Sequence, residues 1–153
     1  MSAILKPAME LLPMTEADLT AVMAIESEIY AFPWTLGNFR DSIAAGYSCW
    51  TYTCGGELFG YGVVMHAADE AHLLNLSIAA VRQRQGYGSL LLQRLCEQAR
   101  GRGARLMFLE VRPSNPGGLR LYALHGFEHV GLRRDYYPAP QGREDAMIFS
   151  LPL

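Results

Sequence analysis

Cysteine is scarce in this chain: Cys49, Cys54 and Cys96 are the only three among 153 residues. An odd number in apolar, strand-like or helical settings excludes a disulfide framework. No C-x-x-C pattern exists and the four histidines, His66, His72, His125 and His129, are scattered. No metal site is therefore expected, and the histidines read as ordinary structural residues. Apolar runs stay far short of a membrane span, and the segment M-S-A-I-L-K-P lacks the long apolar stretch of a signal peptide. The expectation is a cytoplasmic protein with no membrane partner. Repeats, low-complexity tracts and Pro/Gly/Ser-rich linkers are missing too. That leaves one domain over residues 1–153, half of it apolar and long enough for a real core.

What charge there is lies unevenly. Residues 1–81 hold nine acids against Lys6 and Arg40, a net −7, whereas residues 82–153 hold eleven arginines against six acids, a net +5. A basic half suits an anionic cofactor and an acidic half a cationic substrate, although solvated surface charge gives the same count. Glu16, Asp18, Glu26, Glu28 and Asp41 concentrate the acids early in the chain. With net charge −2 and no aromatic-basic platform, direct nucleic-acid binding is not expected.

Periodicity lays out the elements. Residues 8–13 read as a strand, and Thr15 with Asp18 opens a helix striped by Leu19, Val22, Met23 and Ile29. Pro33-Trp34 breaks the chain, and Thr35 caps a short helix to about residue 45. Strands at 48–54 and 57–66 flank Gly55-Gly56, a hairpin signal, and a third covers 71–79. A helix over 86–100, a strand at 106–111, a helix at 115–125 with Pro116 in its first turn, and strands at 127–133 and 144–151 follow. The order β-α-α-β-β-β-α-β-α-β-β implies an α/β sheet with helices on both faces, centred on a β-α-β unit at 72–112, its last two strands antiparallel.

Within that unit, N-L-S-I runs through A-A-V-R-Q into R-Q-G-Y-G-S and then a helix. A strand ending in a glycine-bearing turn at a helix N-terminus presents free N–H groups and a favourable dipole to an anion, naturally a pyrophosphate. Gly86 and Gly88 allow close backbone approach and Arg84 adds charge. No Lys-Ser/Thr pair follows the glycines, and Leu91 stands where a dinucleotide loop has its third glycine, so neither common phosphate loop fits. Glycines that merely open a helix are the competing reading.

Glu110 ends the strand L-M-F-L-E-V, at the sheet edge where ligands of open α/β sheets bind. It reads as a catalytic base or a solvated strand-end carboxylate. Tyr122 reads as a proton donor or, at helical spacing from Leu119, as a core aromatic. Asn115 reads as a helix cap whose amide can also hold a ligand.

N-L-S-I before Q-R-Q-G-Y-G-S, then L-E-V-R-P-S-N and L-Y-A-L-H-G-F, resembles the GNAT acetyltransferases, and Gln83–Gly88 fits their Q-x-x-G-x-G signature in full. A-F-P-W-T at 31–35, E-V-R-P-S-N at 110–115 and R-R-D-Y-Y-P with G-R-E-D-A over 133–146 resemble, within that family, the RimI-type enzymes. The resemblance runs from about residue 8 to the end. It implies a mixed, mostly antiparallel sheet, and acetyl-CoA as co-substrate with no metal. The implied acceptor is the N-terminal alanine of ribosomal protein bS18, acetylated by direct attack in a ternary complex. It further implies Glu110 as base and Tyr122 as acid. Leu76, Ser77 and Ile78 would hold the pantetheine, Arg84, Gln85, Gly86, Tyr87, Gly88 and Ser89 the pyrophosphate, and Asn115 a further cofactor contact. Trp34, Tyr136 and Tyr137 would wall the acceptor. Pro116-Gly117-Gly118 departs from the small helix formers usual there and bears on where Tyr122 lies. An acetyltransferase for a small amine and a non-catalytic acyl-CoA module share the cofactor features.

Overall fold

A computed structural model describes residues 8–153. Strand β1 (Met9–Pro13) leads through a 3-10 turn into α1 (Leu19–Ile29) and α2 (Leu36–Ala44), then β2 (Ser48–Cys54), β3 (Glu57–Ala67) and β4 (Glu70–Ile78). After a second 3-10 turn come α3 (Tyr87–Gly101), β5 (Leu106–Val111), α4 (Pro116–Leu124), β6 (Glu128–Ala139) and β7 (Gly142–Pro152). The element order expected from periodicity is the one observed.

Local chemistry sets the boundaries. Asp18 accepts from the Thr15 N–H at 2.7 Å, and Thr35 and Asn38 satisfy each other reciprocally at the head of α2 (3.1 and 2.9 Å). Gly55 and Gly56 both have positive φ (58° and 83°), the backbone of a two-residue I′ hairpin. β6 and β7 are longer than the sequence suggested. Asp135, Tyr136 and Pro138 look like turn residues, but a bulge between Arg133 and Tyr137, with Asp135 at φ 52°, absorbs them without ending the strand.

Seven strands form one sheet in the order β1-β2-β3-β4-β5-β7-β6. Every pairing is antiparallel except β4–β5, the parallel pair joined by α3. A bulge opposite Val63/Val64 leaves Leu74 as an extra residue on β4. The parallel register runs from Glu70↔Leu106 to Leu73↔Leu109 and stops there, although β4 continues to Ile78 and β5 to Val111. Beyond Leu73 the two strands splay apart. Gly60 of β3 keeps the free arm of β4 close on its other side, because a Cβ there would run into the Ser77 carbonyl and Ile78 Cδ1 (2.7 Å).

Two apolar clusters sandwich the sheet. The larger gathers Leu91, Leu92 and Leu95 of α3 with Met107, Leu109 and Phe149, and α4 packs Leu119, Leu121 and Tyr122 against it. The smaller joins Leu19 and Val22 of α1 and Phe39 of α2 to Tyr61 and Val63. Among the described residues, no helix is long and apolar enough to cross a membrane.

One member of the α1 stripe is a carboxylate. Glu26, 1% exposed, follows Leu19 and Val22 on the buried face. Its Oε1 accepts from the Tyr61 hydroxyl (2.7 Å) and Asn75 Nδ2 (3.2 Å), and its Oε2 from the Trp34 N–H (2.9 Å). The Ser77 hydroxyl contacts Asn75 Oδ1 (2.6 Å) and the Tyr30 hydroxyl (2.7 Å), and Tyr30 donates to the Leu76 carbonyl (3.2 Å). This polar lattice ties α1 to the splayed arm of β4. A buried carboxylate with its acceptor sites filled holds its neighbours, while its removal strands three donors at roughly 1–3 kcal/mol each before relaxation. Glu26→Ala should therefore cost about 3 kcal/mol in urea unfolding, and Glu26→Gln should lose less. A Glu26→Ala protein of unchanged midpoint and slope would show that the lattice contributes nothing to stability.

Candidate active site

The free arm of β4 faces the splay with its backbone. Ala79 N donates to the Phe59 carbonyl (2.8 Å), and the alternation of an antiparallel ladder then turns the N–H and C=O of Leu76 and Ile78 away from β3, toward the opening. Their carbonyls are taken by Tyr30 (3.2 Å) and by Gln83 Nε2 (3.0 Å), which leaves their amides to a ligand. Ser77 differs from its two neighbours. It is 2% exposed, its backbone pairs toward β3, and it reaches the opening through Tyr30.

At the tip of this arm lies the glycine turn. Arg84 and Gly86 both hold left-handed φ (61° and 89°), unfavourable for arginine by roughly 1–2 kcal/mol and natural for glycine. Strain of this kind concentrates where a ligand is bound. A Cβ on Gly86 would meet nothing within 4 Å, so the turn presents its bare backbone to open space. Gly88 is different: its Cβ would stand 3.8 Å from both Ile78 and Leu121, facing inward. Leu90 N makes the first bond back to the turn, to the Gly86 carbonyl (3.2 Å), so the N–H groups of Tyr87, Gly88 and Ser89 head the helix without partners one turn back. Gln85 braces the turn by donating to Val81 O (3.0 Å), Tyr87 packs edge-on against Phe59, and the Ser89 hydroxyl contacts His125 Nε2 (2.5 Å). The arrangement is a preformed anion cradle.

Glu110 sits one residue past the last β4–β5 pair, at the crotch of the splay, with its side chain 12% exposed. His72 Nε2 lies 3.4 Å from Oε1 and Arg133 Nε 3.6 Å from the same oxygen, while the Tyr136 hydroxyl also leans on the carboxylate. The His72 contact, with help from Tyr136 and Arg133, holds the Glu110 carboxyl below its usual range against the opposing effect of burial. The solvated strand-end alternative does not describe this carboxylate. His72, expected in an ordinary structural role, is the partner that sequence reasoning missed; its register against Phe108 is the signal, since Glu110 follows two residues on, on the same face.

Tyr122 packs edge-on against Phe127 (5.7 Å) within the larger core, so its ring is a core aromatic as periodicity suggested. Its phenol still reaches polar company. Burial pushes its pKa well up, reinforced by the phenols of Tyr30 and Tyr137, so it stays protonated at any working pH. Burial likewise lifts Tyr30 to about 12. The Pro116-Gly117-Gly118 departure leaves α4 intact. Pro116 occupies the first turn, Asn115 Oδ1 accepts from Gly118 N (2.9 Å), and a Cβ at Gly118 would press on the Asn115 amide (2.7 Å). Asn115 is thus a helix cap whose amide lies over the first turn.

The three proposed wall residues separate. Tyr136 and Tyr137 stand together (4.9 Å, near-perpendicular rings) on the β6 bulge, which turns Tyr136 over Glu110. Trp34 instead packs on Phe39 (5.1 Å) in the smaller core. From the F-P-W segment it is Phe32, 42% exposed, that stands near this edge, under the Arg112 guanidinium (5.4 Å). Arg112 also stacks on Tyr137 (4.2 Å) and donates to Pro138 O (2.7 Å) and Glu144 (3.2 Å), and Glu144 in turn accepts from the Ser114 N–H and hydroxyl (2.9 and 2.8 Å). This clamp fixes the β6–β7 hairpin to the loop after β5. The expected acidic face is smaller than the count implied. Glu26 is buried, Glu16 pairs with Arg40, and Asp18 bonds Thr15.

Cys49 and Cys96 are buried, their thiols pushed up to about 11 by burial, so neither is poised as a nucleophile. Among the described residues no cluster of three His, Cys, Asp or Glu side chains could hold a metal.

Residues 19–127 match a known family model, acetyltransferase (GNAT) family. The chain belongs to the GNAT family. As a GNAT chain it is an acetyl-CoA-dependent N-acetyltransferase. It is 38% identical over 136 residues to the [ribosomal protein bS18]-alanine N-acetyltransferase of Escherichia coli, covering 89% of this chain and 92% of that protein. A crystal structure of the Escherichia coli ribosomal-protein-S18-alanine N-acetyltransferase superposes with TM-score 0.87 and 35% identity over 95% of this chain and 94% of that one. A Salmonella typhimurium chain solved with its cofactor acetyl-CoA shares the GNAT fold (TM-score 0.78, 20% identity, 95% and 94% coverage).

Gly86→Val should weaken CoA binding severely, because valine resists φ 89° and its side chain would enter the open space above the turn. Calorimetry on the folded variant reads this directly, and unchanged affinity would place the pyrophosphate elsewhere. Tyr122→Phe should keep the core packing and lose turnover; full activity would leave Tyr122 a core aromatic alone.

Proposed function

We propose that this chain acetylates the α-amine of the N-terminal alanine of ribosomal protein bS18. The reaction is direct attack within a ternary complex of acetyl-CoA, peptide and enzyme. The observation that carries the reading is the place of Glu110 on β5, one residue past the last β4–β5 pair, where the Leu76–Ile78 arm of β4 has parted from it. The identity to the bS18-alanine enzymes, spread over nearly the whole chain, supports the acceptor.

In this reading the Arg84–Ser89 cradle and the Asn115 loop hold the pyrophosphate end of the cofactor. The pantetheine then lies along β4 as a further strand, and the Leu76 and Ile78 amides polarise the thioester carbonyl. The peptide amine enters between Tyr136, Tyr137 and Phe32. A peptide α-amine titrates near 7.7–8.0, so at neutral pH most acceptors arrive protonated. Glu110 accepts that proton, the amine nitrogen bonds to the carbonyl carbon, and the oxyanion forms against the amides. As the C–S bond breaks, the electron pair leaves on sulfur and the Tyr122 hydroxyl supplies its proton; the second proton shed by the nitrogen as the amide forms passes to solvent, from which the Tyr122 phenol is restored. No acyl-enzyme forms, in keeping with the suppressed thiols.

The deciding assay incubates the enzyme with acetyl-CoA and a peptide beginning with alanine, with products located by mass spectrometry. Acetyl on the α-amine, with free small amines turned over poorly, is the expected result; acetyl mainly on lysine or small amines points to the small-amine reading. Glu110→Gln should retain cofactor affinity and lose roughly a hundredfold to ten-thousandfold in turnover. Because Glu110 is held below the usual carboxylate range, it is already ionised at neutral pH. The rise of kcat/KM with pH through about 7.7–8.0 should therefore report the amine and persist in the variant.

A further inference from the structure

Once peptide and acetyl-CoA fill the splay, the proton taken from the amine needs a way out. Glu110 is only 12% exposed before any ligand arrives, and Tyr136 and Arg133 cover it from β6. On its remaining side stands His72, 26% exposed, with Nε2 3.4 Å from Glu110 Oε1. Behind His72 the surface opens into a dent of about 60 Å³, lined by Met65, Ala67, Glu70, Ala71, His72 and Phe108. This dent lies at the paired end of β4 and β5, away from the splay, so ligands in the cleft leave it open. Catalytic contacts in an empty site are commonly long and tighten in the complex, and 3.4 Å is in that range.

We propose that His72 is a proton relay, passing the amine proton from Glu110 to solvent through this dent. The inference rests on the acetyl-transfer reading, with Glu110 as the first acceptor. The path conserves protons at each step. The neutral ring donates from Nε2–H to the ionised carboxylate; once Oε1 has received the amine proton, the ring's other tautomer, with the proton on Nδ1, presents a bare Nε2 that takes it over. The imidazolium releases its Nδ1 proton to water in the dent, and the ring re-equilibrates through solvent. The titratable and charged groups turned toward this pair are Arg133, Tyr136 and Tyr137 of β6 and Glu70 of β4, while β3 adds Met65 and Ala67 to the dent. Arg133 cannot give up its proton and both phenols are held protonated, whereas an imidazole has two ring nitrogens, one able to take a proton as the other releases one. A carboxylate held more acidic than usual is a poor final destination for an amine proton; a ring in contact with water drains it.

The test is steady-state acetylation of the alanine peptide near neutral pH by wild type, His72→Gln and His72→Ala, with and without added imidazole, so that Glu110 must shed its proton between turnovers. Glutamine keeps a hydrogen-bond donor toward Glu110 but cannot carry a proton, which separates relay from positioning. Both variants should acetylate about tenfold or more slowly, with KM for peptide and acetyl-CoA within about twofold of wild type. Imidazole should restore His72→Ala and leave wild type unchanged. A His72→Gln enzyme at the wild-type rate, or a His72→Ala defect that imidazole does not touch, overturns the relay alone. A wild type that leaves the α-amine unacetylated overturns the transfer reading and the relay with it.

Discussion

Everything at this site depends on where one parallel strand pair stops bonding. β4 and β5 hold register for four residues, from Glu70↔Leu106 to Leu73↔Leu109, and then diverge. A continued ladder would occupy the Leu76 and Ile78 amides and bury Glu110 opposite Leu74. The extra residue at Leu74 begins the divergence, and Gly60 keeps the departing arm bonded to β3. An interrupted ladder is costly, since each exposed strand amide forgoes a partner. In the proposed reaction, an extended cofactor that bonds as a strand would recover that cost.

An opened sheet needs bracing from outside, and the two arms receive it differently. The β4 arm is held by a buried lattice from Glu26 through Asn75 and Ser77 to Tyr30, each hydrogen-bonded to the next within the core. The β5 arm is held by Arg112, which joins Phe32, Tyr137, Pro138 and Glu144 near the surface. The first fixes the backbone of the Leu76–Ile78 arm; the second fixes the aromatic edge formed by Phe32 and Tyr137. Rigid positioning of this kind is what converts nearby groups into aligned reactants.

What was legible in the sequence was mostly local. Gly55-Gly56 dictates its hairpin, Thr35 its cap, and the order strand, glycine turn, helix its bared backbone turn, because each depends on residues within a few positions. The features that escaped depend on distance. The Arg112–Glu144 contact spans 32 positions, and nothing near either residue announces the other. Glu26 read as surface charge because carboxylates are ordinarily solvated, yet its place in the Leu19–Val22 stripe puts it inside. The strand read from sequence stops at Arg133, short of Tyr136, whereas the bulge at Asp135 carries it through to Ala139 and aims Tyr136 at Glu110. Trp34 and Phe32 exchanged roles for a similar reason: sequence marks the segment as aromatic, but only packing decides which ring faces inward.

The protonation state of Glu110 links these layers. His72, Tyr136 and Arg133 favour its charged form, so its folded pKa lies below the unfolded one. The stability it lends is therefore present above the ordinary carboxylate pKa and is lost only as pH falls through the depressed value. At neutral pH Glu110 is ionised, and in the proposed reaction that charge would favour an approaching ammonium group. The same stabilisation makes Glu110 a reluctant proton keeper. A carboxylate that guides a cation in cannot also retain its proton, and a site built this way needs an outlet; the only imidazole against Glu110 among the described residues lies on the side that ligands leave free.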